Sequence, residues 1–146
     1  MDFCPAFWDW LVEKNESGDV FSIEKVGDEL SAGDDELSAW ATERSDSFFL
    51  APVVGVLPSL GVVSAWVAAE AYDAAAASTF LQIADYYLVA FAHAHGHTVV
   101  THEKPSDGVR KVKIPNACIG LSLRCVTPFE MLRIERARFV LDRERM

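Results

Sequence analysis

Signatures of familiar catalysis are missing from this chain. Its 146 residues contain no G-x-S-x-G, H-E-x-x-H, Walker loop or dinucleotide fingerprint. Serine-nucleophile, zinc-protease and nucleotide-dependent chemistries therefore have no support. Cysteine is scarce: Cys4, Cys118 and Cys125 are odd in number and show no C-x-x-C spacing. That pattern argues against structural zinc and a disulfide framework, and leaves buried free thiols in a reducing compartment as the expectation. Asp2 and Asp9 stand where a secretory leader needs a basic and then apolar opening, so a cytoplasmic location is expected.

Positive charge is sparse over most of the length. Residues 1–103 set only Lys14, Lys25 and Arg44 against 17 acids, a net of −14. Residues 104–146 hold 10 bases against 5 acids, a net of +5, which gives the overall −9. An acidic body argues against broad contact with a polyanion, but a basic segment can still touch phosphates locally. Solvated helix faces account for the same segment equally well.

Charge is absent altogether from Ser47 to Ala69, a run long enough to cross a bilayer. Pro52, Gly55, Pro58 and Gly61 interrupt it. A buried loop leading into a core helix is the expected reading, and no membrane partner is expected.

What is present fits one ordered domain spanning residues 1–146, with 51% hydrophobic and 24% charged residues. A helix is expected near Pro5–Lys14, then a turn at Asn15–Asp19. Ser22 is placed to cap a helix reaching Leu30, and Asp34 a second helix with Leu37, Trp40 and Ala41 inward. Phe48–Leu50 reads as a strand or a buried loop. Pro58 opens a long helix, alanine-rich from Ala65 to Ala77, and the next helix carries Asp85 and stops at Gly96.

Thr98–Thr101 is the clearest strand, by its β-branched content. A short helix from Ile114 and a strand over Leu121–Val126 follow. Thr127-Pro-Phe-Glu130 is a capping box opening a helix to about Arg138. Helices mixed with short strands in this order indicate an α/β sandwich with a small parallel sheet.

Three acids border apolar faces on three different elements. Asp85 shares a helical face with Leu88, Val89 and Ala92. Glu29 flanks Val26 and Leu30, and Glu103 leaves the carboxyl end of a strand, where open α/β sheets place ligands. Carboxylates so gathered suit a hard divalent ion such as Mg²⁺ or Mn²⁺. Taken singly, each is also explained as a surface or capping residue. Asp34-Asp35-Glu36 is explained by helix capping alone. His93, His95, His97 and His102 suggest a zinc or nickel site, but Gly96 breaks the alignment of His93 with His97, and helix-end electrostatics explain them as well.

Val26-Gly-Asp-Glu29-Leu30, Asp85-x-x-Leu88-x-Ala90-x-Ala92 and Val99-Val-Thr101-His-Glu103 resemble the second, third and fourth acidic motifs of PIN-domain proteins. Phe7-Trp-Asp-Trp-Leu11, Asp34-Asp-Glu-Leu-Ser-Ala-Trp40 and Lys113-Ile-Pro-Asn-Ala-Cys118 are similar to a branch of small bacterial PIN-like proteins of unassigned function. The resemblance implies a three-layer α/β sandwich, with helices on both faces of a small parallel sheet. It also implies a Mg²⁺- or Mn²⁺-dependent ribonuclease, often the toxin of a VapC-type toxin–antitoxin pair. Glu29, Asp85 and Glu103 would hold the metal, with Thr101 supporting them from behind. Glu103 replaces the family's more usual aspartate.

Lys111, Lys113 and Arg124 are candidate phosphate contacts, and RNA, an antitoxin and a second copy are the expected partners. The family's opening strand, bearing Asp-x-Asn or Asp-x-Ser, has no counterpart before Pro5, and Asp2 does not stand in for it. The chain is therefore read as truncated at its N-terminus relative to the family. The missing ligand leaves a second reading open, a catalytically inactive PIN-like binding module.

Overall fold

A computed structural model of the chain describes residues 5–51 and 54–140. Pro5 occupies the first turn of helix α1 (Pro5–Glu16), where its missing amide costs nothing. A turn follows, with Gly18 at φ 82°, a left-handed conformation that glycine adopts without strain. The chain then enters strand β1 (Ser22–Ile23), which pairs in parallel with β2 (Phe49–Leu50). The Ser22 amide donates to the Phe48 carbonyl at 2.8 Å. Ser22 is thus a strand residue and not the cap expected of it: helix α2 (Glu24–Ser31) starts from Ile23 without a side-chain cap. Burial of Ile23 and the pairing with β2 outweigh the local capping preference.

Asp35, not Asp34, caps α3 (Glu36–Glu43) by accepting the Ser38 amide at 2.9 Å. The uncharged run resolves into β2, a 3₁₀ turn (Val54–Val56) and helix α4 (Leu57–Ala69). The expected long alanine-rich helix is two helices: Glu70 turns extended and α5 (Ala74–Phe80) follows separately. The break is anchored where the Asp73 amide donates to the Val109 carbonyl at 2.9 Å. No single helix among the described residues is long and apolar enough to cross a membrane; α5 and the next helix pass that test together only as a pair bent by 68°.

That next helix, α6 (Ala84–His95), is the axis of the fold. Val89, Ala90, Phe91 and Ala92 are buried in it, and Gly96 ends it at φ 69° as expected. Strand β3 (Val99–Val100) pairs in parallel with β4 (Cys125–Val126), and α7 (Ile114–Gly120) lies between them in sequence. Thr127 closes a complete capping box on α8 (Pro128–Ile134). This helix stops at Ile134, well short of Arg138. Arg136 takes φ 55°, and the Ala137 amide bonds back to Leu132 at 2.9 Å.

The fold is mixed α/β, with eight α-helices among the described residues and two parallel sheets of two strands each. Two apolar clusters hold it. One joins Val63 and Val67 of α4 to Phe80, Val89, Val99 and Cys118. The other joins Leu11, Trp40, Phe48, Phe49, Val126 and Met131. Trp40 meets Trp8 and Phe48 edge-on, with ring centroids 5.3 and 5.1 Å apart. The two sheets do not join. A cavity of about 690 Å³ lies between them, bordered by β1 on one side and β3 on the other.

Candidate functional site

Packing brings Glu29, Asp85 and Glu103 into one electrostatic neighbourhood. Asp85 sits in the first turn of α6, and α2 packs on that helix, which carries Glu29 to its start. The Ala84 amide donates to Glu29 Oε1 at 3.0 Å. Glu103 reaches the opening of α7, where the Ile114 amide donates to its Oε2 at 3.0 Å. Both glutamates therefore satisfy amides that a helix start would otherwise leave unpaired. An acid at either place also gains from the positive end of the helix dipole.

Asp85 is half-buried, and burial pushes its pKa above the ordinary carboxylate range. The negative charges of Glu103 and then Glu29 push it further, while Lys111 pulls the other way. Lys111 is near enough to be felt but makes no ion pair with Asp85. Among the described residues the one ion pair is Arg44–Glu43, at 3.4 Å. No lysine or arginine thus neutralises the three acids at contact distance.

Thr101 stands beside this site, its Oγ1 accepting the Glu103 amide at 3.1 Å. Lys113 precedes α7 as its cap residue. Arg124 is exposed and lines the cavity between the sheets, and its carbonyl accepts the Val99 amide at 2.9 Å. Of the three candidate phosphate contacts, Lys111 is the one whose charge reaches Asp85.

The donor chemistry fits a hard divalent cation: the oxygens are carboxylate, and each glutamate commits only one of its two to an amide. Among the described residues no three His, Cys, Asp or Glu side chains are already closed into a ligand set. The arrangement is an acidic cluster held by helix starts.

The chain matches, over residues 1–139, the family described as domain of unknown function DUF4411. It belongs to the DUF4411 family. No curated protein and no solved structure matches it. For this DUF4411 chain, function must be argued from the side chains.

The histidines gather elsewhere. His97 packs on Phe21 and Phe91, with centroids 4.9 and 5.9 Å apart, and burial followed by His95 lowers its pKa. His93 Nδ1 lies 2.8 Å from the Oγ of buried Ser59, a pairing across α4 and α6 that sequence spacing does not reveal. Cys118 and Cys125 are free thiols. Burial and then its neighbour Cys125 push Cys118 up to about 12, which makes it inert as a nucleophile. Cys4 lies outside the described residues.

Proposed function

We propose that this DUF4411 protein is a PIN-like endoribonuclease that works with Mg²⁺ or Mn²⁺. Its two sheet halves and packed helices would form one three-layer sandwich. The observation that supports this reading is the shared field of Asp85, Glu103 and Glu29, which makes ionised Asp85 costly while no basic side chain pairs with it. A cation brought in from solution relieves that repulsion.

Asp85, Glu29 and Glu103 would hold the metal, which when bound neutralises phosphodiester charge and makes water a better nucleophile. Asp85, with its raised pKa, is the carboxylate best suited to take a proton near neutral pH. Glu29 and Glu103 keep their positions through the Ala84 and Ile114 amides. Thr101 fixes the backbone at Glu103. Lys111, and more remotely Lys113 and Arg124, supply positive charge for the RNA backbone.

A toxin role with an antitoxin partner, a homodimeric state and a cytoplasmic setting belong to the same proposal. The experiment is RNA cleavage with Mg²⁺ by the wild type and by Asp85→Asn. Cleavage by the wild type that falls at least about a hundredfold in the variant supports the assignment. Equal rates end it. The inactive binding-module reading draws on the ligand set being unclosed, and predicts no metal-dependent cleavage by either protein.

A further inference from the structure

The cavity between the sheets has the form of an unfilled strand position. Ser22 directs its amide to β2, and Val99 and Thr101 direct theirs to β4. Backbone groups alternate along a strand, so the amides of Ile23 and Val100 point to the opposite edges. Those edges border the same cavity, and no described strand pairs with either. Side chains of both apolar clusters reach it, Phe91 and Val99 from one, Leu11 and Met131 from the other.

We infer that this cavity is the seat of one further β-strand, an uncharged apolar segment running parallel to β1 and leading into α1. Its alternate side chains enter the two clusters, so both of its faces are apolar, as in a strand buried inside a parallel sheet. The source follows from topology. Strand, helix and parallel neighbouring strand form a right-handed unit almost without exception. Here α1 and β1 are the second and third parts of such a unit, and the cavity beside β1 is where the first belongs. Phe7, Trp8 and Leu11 of α1 line it. This inference stands whether or not Asp85 takes part in catalysis.

The test adds about five alternating valine and isoleucine residues ahead of Met1, a typical strand length. The connection before Pro5 then stays within the roughly two to six residues usual for strand–helix turns. Hydrogen exchange is read at the Ile23 and Val100 amides, with Val89 of α6 as an internal reference for intact folding. The expected result is a gain of about tenfold or more in protection at both amides, with a higher melting temperature. A glycine–serine extension of equal length, and one carrying proline at alternate positions, should produce neither. Unchanged exchange at Ile23 and Val100 would overturn the inference. Equal protection from the same apolar segment added as a free peptide would overturn the assigned source, because the seat would then serve a separate chain.

Discussion

Glu29 and Ala84 are 55 positions apart, yet the Ala84 amide donates to Glu29 Oε1 at 3.0 Å. This bond ties α2 to the start of α6 and sets one acid beside another. It separates two roles that a single substitution would confuse. Glu29→Ala loses both acceptor and charge and should cost about 0.5–2 kcal/mol, the range for a lost helix cap. Glu29→Gln keeps a carbonyl oxygen for Ala84 and should melt within about 0.5 kcal/mol of the wild type. Denaturant unfolding of both variants checks this; equal losses would mean that the bond contributes nothing.

Asp85 gives the second prediction. Its folded pKa is raised, so between the ordinary carboxylate pKa and the folded value the native state binds more protons than the unfolded one. Stability conferred by protonated Asp85 is therefore present at low pH and lost as pH rises through that window. Asp85→Asn removes this dependence and should be more stable than the wild type at pH 7. Each 1 kcal/mol recovered raises the melting temperature by about 2–4 °C in a chain of this size. Melting curves from pH 4 to 8 test the sign, and a variant that is less stable at pH 7 contradicts it.

Gly27 belongs to the segment Val26–Leu30 that carries Glu29, and its value is spatial. A Cβ there would stand 2.8 Å from Cγ of Phe49, so α2 lies close against β2 only because the position is glycine. Gly27→Ala should cost about 1–3 kcal/mol, as overpacking does, despite alanine's better helix propensity. A neutral or stabilising outcome in urea unfolding would show that the ring moves aside freely.

Legibility in the sequence followed the range of the forces involved. Pro5, Gly96 and the Thr127–Glu130 box act within a few residues, and the structure bears out those signals. Ser22 and Asp34 misled because the deciding interactions lie outside the local window: Ser22 pairs with Phe48 in β2, and capping shifts one residue to Asp35. The split between α4 and α5 was hidden because alanine favours helix on both sides, while the tie from Asp73 to Val109 comes from a distant loop. The three acids were legible as residues bordering apolar faces. Their amide partners and the reach of Lys111 were not, since both depend on how α2, α6 and α7 pack.

Manganese calorimetry tests the central claim most directly. The account predicts saturable Mn²⁺ binding by the wild type at pH 7, weakened at least about tenfold in Asp85→Asn while that variant still melts cooperatively. No saturable binding, or the same affinity in both proteins, would contradict it.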